Sequence, residues 1–186
     1  MPSPVGHALA GLTVHLLTAR DRSEATSTRR ALLVVGAALA PDLDFLGRLF
    51  DGQNHHQHEF HSIGFAILGG LLAAFIARGW GLRAAATGLA AGLGWVSHVV
   101  LDYLAVDTSP PIGLMALWPF SSGYFHFPRP IFLDIWRTLE WTTVRHDSVA
   151  VFWEIALLTP VLLVAWRARS FGRAGFRWHG GSKASR

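Results

Sequence analysis

The sequence contains no cysteine. Disulfides, thiolate metal sites and a cysteine nucleophile are therefore excluded. Charge is scarce as well: Asp, Glu, Lys and Arg make up 15% of the 186 residues, against roughly 25% in an ordinary soluble domain. Tyrosine is nearly absent, with two residues beside twelve Phe and eight Trp. That aromatic balance suits a chain that meets lipid and its interface. Apolar residues reach 51%, which excludes disorder, and the length allows one domain. The formal charge is +4 and the sequence pI is near 10.6, which raises a nucleic-acid partner as a question that the placement of the charge answers. The first twenty residues show no basic start and no small-residue cleavage pattern, so no removable signal is expected.

What is present is hydropathy. Five apolar stretches occupy residues 5–19, 31–50, 63–77, 84–101 and 149–166. The first is interrupted by His7 and His15, the second by Pro41-Asp42-Leu43-Asp44, and the third is closed by Arg78. The fourth carries His98, and the fifth holds one charge, Glu154. A spanning helix takes about 20 apolar residues; the last two stretches meet that comfortably, and the first and third are short. Gly69, Gly70, Gly88, Gly92 and Gly94 suit close helix packing in lipid. The competing reading is a buried all-α soluble bundle.

The charges favour the membrane. If the stretches alternate across a bilayer, one side collects Arg20, Arg22, Arg29, Arg30, Arg78, Arg83, Arg167, Arg169, Arg173, Arg177, Lys183 and Arg186, twelve of the sixteen basic residues. The positive-inside rule makes that side, and the C-terminus, cytoplasmic. The high pI then reports topology, and no nucleic-acid partner is expected. The other side collects the N-terminus, the loop 51–61 and the aromatic segment 102–148, where one or two interfacial helices are expected, 131–144 being the candidate. The expected fold is all-α: a polytopic inner-membrane protein with four to five transmembrane helices plus an interfacial helical segment. Residues 1–166 form the membrane-embedded domain, and 167–186 a basic, mobile cytoplasmic tail that can lie on anionic headgroups.

Four polar islands break the apolar chain: His7; Asp42 and Asp44; His55, His56, His58, His61 and Ser62; and His98 with Asp102. All fall towards the non-cytoplasmic side. Ionisable residues in apolar segments are costly and are paired or bind something. His98 and Asp102, four apart, share one helix face. Asp42 and Asp44, two apart, converge only if Pro41 breaks the helix. Ser62 is placed to cap the third stretch. Each island has an ordinary reading alone: a helix start at His7, a cap at Asp42, a solvated loop at 55–61, a buried hydrogen bond between His98 and Asp102. Four together on one side favour a shared ligand, whereas His15 keeps the ordinary reading. Imidazole and carboxylate without thiolate suit Zn, Mn or Fe(II) in an open, catalytic site. The zincin motif fails, since one residue separates His58-Glu59 from His61 where two are needed.

Gly6-His7, Pro41-Asp42-Leu43-Asp44, His56 to His61-Ser62, His98-x-x-Leu101-Asp102 and Leu117-Trp118-Pro119-Phe120 resemble the YdjM-type inner-membrane metal-dependent hydrolases. The resemblance covers roughly residues 4–120 and rests on order and spacing. It departs at His56-Gln57-His58-Glu59-Phe60-His61-Ser62, where the family has Arg and Thr in place of Gln57 and Phe60. Arg129 or Arg137 are candidates to replace that Arg. Together with the ligand chemistry, the resemblance implies one or two divalent ions held by His7, Asp42, Asp44, His56, His61, His98 and Asp102. Asp44 is then the candidate bridging ligand or proton acceptor, and His61 the candidate acid for the leaving group. A distant similarity to the helical zinc phospholipase C group implies a phosphoester. The aromatic wall 117–127 favours a lipid-like phosphoester or ester on hydrophobicity alone. Two other classes stay open: a metal or proton transporter, and a haem-binding membrane protein using His61 and His98 as axial ligands.

Overall fold

The computed structural model describes residues 1–47, 50, 52, 56–136, 138 and 140–171. His55, Arg137, Arg173, Arg177, Lys183 and Arg186 lie outside the described residues, as does the tail beyond residue 171. Among the described residues the regular elements are helical, with two isolated bridges and no ladder. In chain order they are α1 (Pro4–Thr18), a short α2 (Arg22–Ala25), α3 (Thr28–Leu39), a 3₁₀ segment (Ala40–Gly47), a 3₁₀ turn (Glu59–His61), α4 (Ile63–Gly79), α5 (Ala84–Tyr103) and α6 (Trp141–Phe171).

Local chemistry sets the boundaries. Ser3 precedes Pro4 and accepts the Gly6 amide, so α1 starts with a capping side chain and a proline at its first position. Ser27 caps α3 by accepting from Arg30, and Ser62 caps α4 by accepting from Phe65, as the sequence suggests for Ser62. The α3 helix stops at Leu39, and the chain tightens into the 3₁₀ segment around Pro41, which lacks the amide a continuing helix needs.

The helices pack closely because small residues meet at their crossings. A Cβ on Gly88 would stand 2.6 Å from the Ala74 Cβ and 2.7 Å from the Gly70 carbonyl oxygen, so α4 and α5 touch backbone to backbone. At Gly94 the neighbour is the Val34 carbonyl oxygen, 2.6 Å from such a Cβ, which brings α3 onto α5. The core is accordingly alanine-rich: Ala37, Ala66, Ala73 and Ala91 surround Trp95, Val99 and Leu114.

Two helices are long and apolar enough to cross a membrane, Ala84–Tyr103 and Trp141–Ser170, and Ile63–Gly79 is a shorter apolar helix. Of the expected four to five spans, two pass on length among the described residues. The 15 residues of α1 rise only about 22 Å, short of a hydrocarbon core of roughly 30 Å, and α3 is shorter still.

The interfacial helix expected over 131–144 is not formed. Residues 131–136 are irregular, and α6 begins at Trp141. Five prolines, Pro110, Pro111, Pro119, Pro128 and Pro130, interrupt the chain before this stretch, and none lies within 131–144. The segment is held instead by single backbone pairings, Ala105 with Phe132 and Leu114 with Phe125. It also closes the start of α4, whose Ile63 and Gly64 amides donate to the Ala116 and Trp118 carbonyls at 3.0 Å each.

Helix polarity sorts the molecule into two ends. At one, Arg83 bonds Asp21 (2.9 Å) and Glu24 (3.2 Å), Arg29 donates to the Trp80 carbonyl, and Arg169 donates to the Leu16 carbonyl. Asp21 sits below the usual carboxylate range because it accepts the Glu24 amide and faces Arg83. The basic loops therefore do share one end, as their alternation predicts. The opposite end gathers the start of α1, the turn after α3, the start of α4 and the end of α5.

Candidate metal centre

The polar islands meet at that second end. His7 comes from the first turn of α1, Asp42 and Asp44 from the 3₁₀ segment, His56 and His61 from the approach to α4, and His98 and Asp102 from successive turns of α5. All seven residues named from the sequence converge. Six are buried, and Asp42 alone among them shows solvent, with 17% of its side chain exposed.

The centre is built on a triangle. His61 Nε2, His98 Nε2 and Asp102 Oδ2 are separated by 3.1, 3.2 and 3.2 Å. For ligand bonds of about 2.0–2.1 Å, the edge of a coordination tetrahedron is about 3.3 Å. Asp42 Oδ1 stands above the triangle, 3.6 Å from His98 Nε2 and 3.8 Å from His61 Nε2. Asp102 turns its second oxygen to His7 Nε2 at 3.4 Å, and the His7 ring stacks on His98 with centroids 3.7 Å apart. His7–Asp42–His98, Asp42–His56–His61 and His61–His98–Asp102 each bring ligand atoms within 4.8 Å of one another.

Partners outside the triangle fix the tautomers. His98 Nδ1 lies 2.8 Å from the Ala38 carbonyl, which only accepts, so Nδ1 carries the proton and Nε2 presents its lone pair. Asp44 Oδ1 does the same for His56, whose Nδ1 lies 3.1 Å away, while the Gln57 amide donates to Oδ2 at 3.2 Å; Oδ2 also faces His61 Nδ1 at 3.1 Å as an ion-pair contact without a hydrogen bond. Burial pushes the His56 imidazole below the usual histidine range, against the opposing pull of Asp44. A neutral imidazole is the form that binds metal.

The Nε2 atoms of His61 and His98 face each other at 3.1 Å, beside Asp102, whose two oxygens have no hydrogen-bond donor. The His7 ring nitrogens and Asp42 Oδ1 are likewise buried without a hydrogen bond. Orphaned acceptors of this kind are costly unless a cation joins them. These residues fit a divalent ion in chemistry and spacing.

Asp44 turns its oxygens to two imidazoles and an amide. His61 turns Nδ1 to Asp44 and Nε2 to His98 and Asp102. His58 faces away from the centre, 3.2 Å from the Tyr124 hydroxyl. Gln57, at the family's Arg position, is buried, and Arg129 is exposed, while Arg137 lies outside the described residues. The Nε2 atoms of His61 and His98 are too close for a macrocycle between them. His15 keeps its ordinary role, its nitrogens at the Ala25 carbonyl (3.1 Å) and the Arg30 guanidinium (3.0 Å). A cavity of about 310 Å³ adjoins His56, lined also by Asp107, Asp134 and Trp136.

Fold and site together define an all-helical protein with an imidazole–carboxylate centre at one end and long apolar helices. The chain belongs to the YdjM inner membrane protein family, whose profile matches residues 1–174. Its lipid-bilayer setting follows from that membership. A comparison with curated proteins and with solved structures gave no match.

Proposed function

We propose that this protein is a multi-pass, membrane-embedded metal-dependent hydrolase acting on a lipid-like phosphoester or ester. The observation that carries the reading is the His61–His98–Asp102 triangle, its three ligand atoms converging while the Ala38 carbonyl accepts from His98 Nδ1 and Asp44 faces His61 Nδ1. His61, His98, Asp102 and Asp42 would hold one divalent ion. His7 with Asp42 and His98, and His56 with Asp42 and His61, are the further groups whose ligand atoms lie within 4.8 Å of one another and would hold a second. When bound, such an ion lowers the pKa of water towards 7 and polarises an ester oxygen. Asp44, facing Nδ1 of both His56 and His61, would aim the two imidazoles at the ion. Asp42, the carboxylate that reaches solvent, is the residue placed to take a proton from water at the mouth of the centre.

Two features support a lipid-like substrate. The α4 helix leaves Leu71 and Phe75 exposed at 63% and 77%, and α6 leaves Phe152 at 72%, faces that suit acyl chains better than water. The segment over the centre shows Phe120 at 88%. By the positive-inside rule the basic end is cytoplasmic and the centre lies on the other side. A reporter fused after Arg83 should read cytoplasm and one near Gly123 the far side; the reverse result overturns the orientation.

The function is tested by incubating metal-loaded wild type and His98→Ala with phospholipids and isoprenoid phosphates, followed by mass spectrometry. Product from wild type alone, abolished by chelator, is expected. Equal product from both proteins, or none from fully metallated wild type, contradicts the proposal.

A further inference from the structure

The α6 helix contributes no ligand to the centre, yet it sends one carboxylate into the bundle. Glu154 is fully buried. The Ser3 amide donates to its Oε1 at 2.7 Å, the Gly6 amide donates to its Oε2 at 3.1 Å, and the Ser3 hydroxyl donates to Oε2 as well. The carboxylate thus takes up first-turn N–H groups of α1, where a helix leaves donors unpaired and its dipole favours negative charge. The fit is tight, since a Cβ on Gly6 would stand 2.7 Å from Oε2.

His7 follows Gly6 directly. At Nδ1 each of the other imidazoles of the centre faces an acceptor: His56 and His98 bond Asp44 and the Ala38 carbonyl, and His61 stands 3.1 Å from Asp44 as an ion pair. The His7 ring has no hydrogen bond at either nitrogen and rests only on stacking against His98 and on Asp102. Its placement therefore depends on the backbone of the first turn of α1. We infer that Glu154 is a positioning residue which, by accepting from Ser3 and Gly6, holds that turn and with it the His7 imidazole against His98 and Asp102. A neutral or shortened side chain leaves buried amides without a full acceptor, and the turn shifts to recover them.

The inference rests on reading the centre as a divalent-ion site, and the test separates the two. The full chain in mild detergent is loaded with Co²⁺, whose visible absorption reports ligand number and geometry. Glu154→Gln should remain folded, bind Co²⁺ about tenfold more weakly, as loss of an outer partner does, and show an altered spectrum. In a His7→Ala background the same change should add nothing. Gly6→Ala, which keeps Glu154 but displaces its carboxylate, should give the same spectral change and carries the comparison if Glu154→Gln does not fold. Wild-type spectra from both variants, or an undiminished Glu154→Gln effect without His7, overturn the inference. If wild type takes up no Co²⁺, the metal reading fails, and the ¹⁵N resonances of the His7 ring decide the positioning role: a shift in Glu154→Gln supports it, and unchanged resonances overturn it.

Discussion

At the residue scale, the carboxylates of this protein divide by what their oxygens already hold. Asp102 and Asp42 turn unbonded oxygens towards imidazole nitrogens, whereas Asp44 is consumed by His56, His61 and the Gln57 amide. Substitution should sort them the same way. Asp44→Asn keeps the space but loses the charge that orients two imidazoles, so metal affinity should fall about 10- to 100-fold, as for other outer partners. Titration against a competing chelator measures it, with His15→Ala as the control that binds normally. An Asp44→Asn protein binding as tightly as wild type would return Asp44 to an incidental buried acid. The seven residues were legible because ionisable side chains in apolar helices stand out. Their roles were not, since spacing says nothing of which oxygen meets which nitrogen. Glu154 carried a signal too, one carboxylate in a long apolar run, but its partners Ser3 and Gly6 lie about 150 residues away.

At the element scale, the helices are placed by small residues and by one break. The 3₁₀ segment after α3 swings Asp42 and Asp44 to the same centre, which two residues two apart on a regular helix would not reach. The sequence names Pro41 as the means, and the chain uses it. The close contact of α4 and α5 at Gly70 and Gly88 sets the turn before α4, which carries His61, beside the helix that carries His98. Gly88→Ala places a Cβ against backbone, so a loss of about 1–3 kcal/mol is expected, the usual cost of overpacking. Gly36→Ala, where nothing lies within 4 Å, should be neutral or stabilising, because alanine is the better helix former. Thermal melts in detergent compare the two; equal melting temperatures would mean that α4 and α5 can separate at no cost. The segment 131–136 shows where hydropathy misleads. Its Trp and Phe residues suggest an interfacial helix, but Phe132 pairs with Ala105 and the stretch stays irregular.

At the scale of the whole molecule, chemistry and charge occupy opposite ends of one helical bundle. The basic end is tied by Arg83, Arg29 and Arg169, and the other end converges seven ionisable side chains with almost no solvent. Membership of an inner membrane protein family accounts for the exposed apolar faces, and two of the helices are long and apolar enough to cross a membrane. A centre at one end of the bundle needs its helices to meet there; it does not need each of them to cross a bilayer. Bound metal stabilises the folded state by mass action, so ligand loss should also lower the melting temperature. The most direct measurement is the metal content of the full chain purified in mild detergent without chelator. Wild type should carry one to two equivalents of Zn, Mn or Fe, and His98→Ala or Asp102→Ala should lose most of it while His15→Ala retains it. Wild type that stays metal-free after loading with each ion, or His98→Ala and Asp102→Ala proteins as metallated as wild type, would contradict the account.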